Sequence, residues 1–114
     1  MTMAIELARF TIKADAEAAL VADRPAMITA LRQRFPACVA AFLTREDDGS
    51  WLDILVWRTR AEAEEAAAQI TTVPEAAAWF RHIAESGGLR HVEVRDSWVS
   101  GDLGGSAQTG PLGQ

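Results

Sequence analysis

The feature that most constrains this chain is a pair of apolar segments joined by a five-residue polar turn. Cys38–Arg45 and Trp51–Arg58 both read as strands, and between them lies Glu46-Asp47-Asp48-Gly49-Ser50. Asp48-Gly49 supplies the positive-φ residues that a tight hairpin turn needs, so the two strands are expected to be antiparallel neighbours. Trp51, Leu55 and Trp57 share one face of the second strand, and Leu52, Ile54 and Val56 share the other. A strand apolar on both faces must be covered on both sides.

The segments around this hairpin complete the pattern. Ala4 to Lys13 reads as a strand in which Ile5 and Leu7 alternate with Glu6 and Ala8, before Phe10 and Ile12 move the apolar phase to the other face. Asp15 is placed to cap a helix. From Ala16 to Phe35 the period is helical, with Leu20, Met27, Leu31 and Phe35 on one stripe. Pro25 removes one backbone donor and predicts a kink, and Pro36 ends the helix. After the hairpin, Thr59-x-x-Glu62 is a capping box opening an alanine-rich helix that runs to about Ile70. A second Thr-x-x-Glu, Thr72 to Glu75, with Pro74 in its first turn, predicts a restart through Ala84. Ala76, Ala77, Phe80, Ile83 and Ala84 would form its buried face, and Gly87-Gly88 its end. Leu89 to Trp98 then reads as the last strand, with Val92 and Val94 opposed to His91, Glu93 and Arg95.

The order βαββαβ defines an α+β domain of ferredoxin-like type over residues 1–98. Right-handed crossovers give an antiparallel four-stranded sheet ordered 4-1-3-2 with both helices on one face. The other face would then meet a second subunit, which predicts a homodimer. From about Val99 to Gln114 the chain turns to Gly, Ser, Thr, Gln and Pro without periodicity and is expected to be a flexible tail.

Charge and cysteine usage exclude several functional classes. Sixteen acidic residues stand against eleven basic ones, for a net charge of -5, and the arginines are scattered. A nucleic-acid reader needs a basic stripe to neutralise phosphates, so DNA and RNA are not expected partners. The single cysteine, Cys38, can form no internal disulfide and belongs to no multi-cysteine metal site; in a strand it is expected to be a small buried hydrophobe. No apolar run approaches the roughly twenty residues of a membrane span, and the N-terminus has no basic region followed by an apolar stretch, so a cytoplasmic protein is the expectation.

No phosphate-cradling glycine loop, Gly-x-Ser-x-Gly elbow or His-Glu-x-x-His motif occurs. His82 and His91 are the only histidines. A metal site would need carboxylates brought in by folding, Glu6 and Glu93 being nearest by topology, and neither metal nor cofactor is expected. His82 falls on the last predicted helix three residues after Trp79, which makes the two neighbours on the helix surface. It is the candidate general base or polar handle at the rim of an apolar pocket, with Trp79 and Phe80 as substrate-binding aromatics. The other reading is a half-exposed histidine beside a packing tryptophan. Trp57, closing the third strand, is either a pocket wall or a packing anchor. His91, Glu93 and Arg95 form either a polar patch in a cavity or a solvated, pair-satisfied strand face.

Three stretches, taken with the element order, resemble the antibiotic biosynthesis monooxygenase-like family of dimeric α/β barrels over about Ala4 to Trp98. They are Arg24-Pro25-Ala26-Met27 leading to Arg34-Phe35-Pro36, Trp51-Leu52-Asp53-Ile54-Leu55-Val56-Trp57-Arg58 running into Thr59-Arg60-Ala61-Glu62-Ala63, and Pro74-Glu75-Ala76-Ala77-Ala78-Trp79-Phe80. The resemblance implies oxygenation of polycyclic phenols without metal or flavin, or degradation of haem. Haem-degrading members use an asparagine on strand one and polyketide oxygenases a tyrosine near the pocket; this chain has neither residue type. A helix histidine, His82, and the aromatic walls Trp57 and Trp79 carry over. The expected function is a cofactor-independent monooxygenase-like protein acting on a small aromatic or polyketide-like compound. A non-catalytic dimer of the same fold that binds a small apolar ligand or only scaffolds is the alternative, and an isomerase or cyclase using His82 with Glu6 or Glu93 is a third.

Overall fold

The computed structural model describes residues 2–102. The elements are β1 (Ala4–Ile12), α1 (Glu17–Arg34), β2 (Cys38–Arg45), β3 (Trp51–Trp57), α2 (Arg60–Gln69), a 3-10 turn (Ile70–Thr72), α3 (Pro74–Phe80) and β4 (Ile83–Glu93). The four strands form one antiparallel sheet in the order β2-β3-β1-β4, as expected for a ferredoxin-like chain.

The central hairpin closes with Gly49 N–H donating to Glu46 O at 3.0 Å and Glu46 N–H to Ser50 O at 2.8 Å. Of the turn residues only Gly49 takes a positive φ, +89°. Asp48 instead acts through its side chain, accepting from the Ser50 amide at 2.9 Å and the Ser50 hydroxyl at 2.6 Å. Those bonds hold the Asp48 carboxyl below its usual range.

Helix α1 runs unbroken through Pro25, which lies on its exposed side where loss of one N–H is tolerated. Leu20, Arg24, Met27 and Leu31 are its buried residues. Asp15 does not cap it: Asp15 sits in a left-handed turn at φ +60°, and Ala16 occupies the cap position without a side-chain bond. Thr59 does cap α2, its hydroxyl accepting from Glu62 N–H at 3.1 Å while donating to the Glu62 carboxylate at 3.0 Å.

The expected second capping box does not form. Thr72 Oγ1 turns back to Gln69 O at 2.7 Å to close the 3-10 turn, and Val73 precedes Pro74 at the start of α3. The last helix is also shorter than its pattern suggests. It ends at Phe80, and Ile83 already pairs with Ile12. Gly87 and Gly88 are therefore inside a strand and not at a helix end, and β4 runs Ile83–Glu93 instead of Leu89–Trp98. Their place is a bulge where the β1–β4 register shifts between Ala8 and Phe10. A Cβ on Gly87 would lie 3.1 Å from Arg9 O, and Gly88 takes φ +112°, so both positions require glycine's freedom. The expected tail begins in described residues, but 103–114 lie outside them.

Strand alternation divides the sheet into two unlike faces. Phe10, Trp51, Leu55 and Trp57 point toward the helices and pack with Leu20, Met27, Leu31 and Trp79 into one buried core. On the opposite face Ile5, Leu7, Phe42, Ile54, Val56 and Val92, in register with one another, are only half-buried. Replacing the α2 cap, Thr59→Ala, should lower unfolding free energy by about 1 kcal/mol. A reduced urea midpoint with an unchanged slope would show it.

Candidate functional site

Beneath the helices the core is not completely filled. A cavity of about 360 Å³ opens between the sheet and α1, α2 and α3, within the range of small-molecule sites. Its apolar walls include Phe10, Met27, Leu31, Leu55, Trp57, Trp79 and Phe80. The rings form a connected set: Phe10 stacks on Trp51 at 6.5 Å and meets Trp79 edge-on at 5.8 Å, and Trp79 lies 6.0 Å from Phe80.

Two carboxylates, Glu6 from β1 and Asp53 from β3, line this apolar space. Their surroundings differ. Asp53 is held by a two-pronged ion pair with Arg24 of α1, Nη1 to Oδ2 at 2.7 Å and Nη2 to Oδ1 at 2.5 Å, both side chains nearly buried. The same guanidinium sits 5.1 Å from the Trp79 ring centroid, while Trp79 Nε1 donates to Leu20 O at 2.8 Å. Glu6 has a weaker partner. His91 Nε2, from β4, lies 3.1 Å from Glu6 Oε1, with the two side chains 9% and 13% exposed.

Burial pushes the Glu6 carboxyl above its ordinary range; the adjoining His91 opposes this, and the negative charge of Asp53 adds to it. Close by, Trp57 Nε1 is buried with no hydrogen-bond partner among the described residues. Its influence on Glu6 is slight, that of a donor turned toward the carboxylate without a formed bond. Cys38, by contrast, offers no chemistry: burial raises its thiol to about 11, so it remains protonated.

The sequence candidates divide accordingly. Trp57, Trp79 and Phe80 all line the cavity. His82 does not. It lies in the turn after α3 and not on the helix, because α3 ends at Phe80, and its Nε2 pairs with Asp23 of α1 at 2.8 Å. The Lys13 amide donates to His82 O at 2.9 Å, fixing this turn to the end of β1. The row His91, Glu93 and Arg95 also separates: His91 turns into the Glu6 pair, while Glu93 and Arg95 are exposed and loosely paired at 3.8 Å.

Sequence reasoning missed the Arg24–Asp53 pair and the weight of Glu6. The signal was available. Arg24 falls in the Leu20–Met27–Leu31 stripe, and Asp53 falls in the inward row Trp51–Leu55–Trp57. Opposite charges placed in two otherwise apolar rows that must face each other predict a buried pair.

No protein-family profile matches the sequence, and no curated protein sequence matches it. Solved structures do match it. The chain resembles SnoaB from Streptomyces nogalater, a cofactor-independent oxygenase, with 25% identity over 87% of this chain and 97% of that one, at a TM-score of 0.58. It also matches antibiotic biosynthesis monooxygenase-type proteins from Bordetella bronchiseptica (17% identity, 88% and 100% covered, TM-score 0.63) and Chloroflexus aurantiacus (11%, 85% and 97%, 0.60). The chain thus has the fold of the antibiotic biosynthesis monooxygenase-like proteins.

The ion pair makes a stability prediction. Asp53→Ala leaves Arg24 charged and unpaired in the core and should cost about 3–5 kcal/mol. Replacing both together, Arg24→Met with Asp53→Leu, should cost much less than the sum of the single changes. A double-mutant cycle from denaturant melts reads the coupling.

Proposed function

We propose that this protein is a cofactor-independent monooxygenase-like enzyme that takes a small, flat aromatic or polyketide-like compound into the cavity between sheet and helices. The observation that carries the reading is the cavity itself: a space of about 360 Å³ walled by Trp57, Trp79, Phe10 and Phe80, with a few buried polar groups on its sheet side. Aromatic walls favour a planar ligand through stacking and edge contacts, and a water-poor interior protects an easily quenched carbanion. The relation to SnoaB, a cofactor-independent oxygenase, supports the same direction. The net conversion would be that of a doubly activated methylene and dioxygen to a carbonyl and water, the substrate carbanion itself reducing the oxygen. In this reading Trp57, Trp79 and Phe80 bind the substrate. His82, joined to Asp23 at the edge of the cavity's helical roof, orients the turn that closes it.

The working unit in this proposal is a homodimer joined through the half-buried sheet face as a dimeric α/β barrel. Leaving Ile5, Leu7, Phe42, Ile54 and Val56 against water would forfeit about 25 cal/mol for each Å² of apolar surface that a second copy could cover. Ile54→Asp should therefore convert a sedimenting dimer to monomer at micromolar concentration. A wild-type monomer under the same conditions would refute the dimer.

Tryptophan fluorescence tests the ligand site, since the chain has four tryptophans and no tyrosine. Saturable quenching by hydroxylated anthraquinones, weakened several-fold in Trp79→Phe, is expected, with protein-dependent oxygen uptake on anthrones and hydroquinones. Quenching without uptake across that panel would reject the oxygenase and leave a non-catalytic binding module of the same fold.

A further inference from the structure

We propose that Glu6 is the proton-abstracting base of this cavity, with Trp57 Nε1 as donor to the oxyanion that abstraction creates and His91 as the residue that positions Glu6. The inference deepens the proposed function. It specifies a carbon acid, a ligand whose acidic C–H is conjugated to a carbonyl.

Three observations support it. The first is elimination among the carboxylates: Glu6 and Asp53 both line the cavity, but each oxygen of Asp53 is engaged by Arg24. A carboxylate in a two-pronged arginine pair is a poor base, because the guanidinium stabilises its charged form. Glu6 has one oxygen held by His91 at 3.1 Å and, besides that, only the Trp57 indole turned toward its carboxylate without a formed bond. The second is the indole of Trp57. It is 1% exposed, and its N–H is turned toward Glu6 without a formed hydrogen bond, in a core where a buried donor is normally satisfied. A donor left open on a cavity wall is satisfied when a ligand oxygen reaches it.

The third is charge. Facing Glu6 are His91 from β4 and Asp53 from β3, the latter neutralised by Arg24 of α1. The cavity residues of α2 and α3, Ala66, Ala67, Trp79 and Phe80, carry no charge. Burial outweighs the opposing His91 and Trp57 and raises the affinity of Glu6 for a proton, which moves a carboxylate toward the range of a useful base.

The step balances within the site. The C–H bond of the ligand breaks and its proton goes to a Glu6 carboxylate oxygen. The electron pair left on carbon delocalises to the carbonyl oxygen, which becomes an enolate oxygen and accepts from Trp57 N–H. Return of the proton reverses the step, and no oxidant enters it.

Anaerobic exchange isolates this step from oxygen chemistry. Anthrone in D₂O, followed by proton NMR, should lose its methylene signal at a protein-dependent rate. Glu6→Gln should slow that rate by about 100-fold or more, and Trp57→Phe by roughly 10-fold or more. In His91→Phe the acid limb of the rate should move to higher pH, because the imidazole that favours charged Glu6 is gone. Fluorescence quenching by a hydroxylated anthraquinone checks that each variant still folds and binds. Should Glu6→Gln fail to fold, the His91→Phe limb decides. Exchange that persists in Glu6→Gln, an unmoved limb in His91→Phe, or no protein-dependent exchange in the wild type overturns the assignment. Exchange without aerobic oxygen uptake would keep Glu6 as the base and reject the oxygenase reading alone.

Discussion

The buried pair between Arg24 and Asp53 organises this fold. Arg24 comes from the middle of α1 and Asp53 from the middle of β3, so the pair fixes both the height and the rotation of the long helix over the sheet. The guanidinium then lies against Trp79, and Trp79 returns a hydrogen bond to Leu20 of α1, which draws α3 into the same arrangement. Apolar contacts alone would permit several similar packings of helices on a sheet. A two-pronged pair in low dielectric permits far fewer, since a displaced geometry leaves charges unsatisfied.

That pair also determines the character of the cavity. With Asp53 neutralised, the inner sheet face presents one carboxylate outside any arginine pair, Glu6, flanked by His91 and by an indole N–H turned toward it without a formed bond. The cavity's remaining walls are chiefly aromatic and aliphatic. Few polar groups in an apolar space can orient a ligand more sharply than many, because each unmet hydrogen bond carries a large penalty there. Arg24 and Asp53 thus have a structural role with a chemical consequence: they leave Glu6 as the group free to exchange a proton.

Much of this architecture was legible in the sequence because it rests on local signals. The hairpin around Gly49, the Thr59 cap and the helical stripe of α1 each depend on residues within a few positions, and the element order then limits the sheet to one arrangement. The errors occur where tertiary pairing overrides local preference. Residues 83–86 carry apolar and helix-compatible side chains, yet β1 needs a long neighbour and recruits them into β4. Gly87-Gly88, a plausible helix end, becomes the bulge by which β4 follows β1 past Arg9. His82 is displaced from the cavity by the same shift, since a helix that ends at Phe80, and not at Ala84, leaves it in a turn paired with Asp23. Trp57, Trp79 and Phe80 were identifiable as bulky aromatics at element ends, whereas the Glu6–His91 contact joins residues 85 positions apart and comes from the β1–β4 register alone.

The bulge has a final consequence for the site. An extra residue in β4 opposite Arg9 lets the strand continue in a new register, which places His91, and not a neighbour, directly across from Glu6. Sliding β4 by one residue would exchange its faces, turning His91 toward the open sheet surface and bringing Arg90 or Val92 across from Glu6 in its place. Two glycines with no side-chain chemistry of their own therefore decide which residue of β4 meets the cavity's carboxylate. In this chain the functional geometry is a property of strand register, and it is set some residues away from the groups that carry the charge.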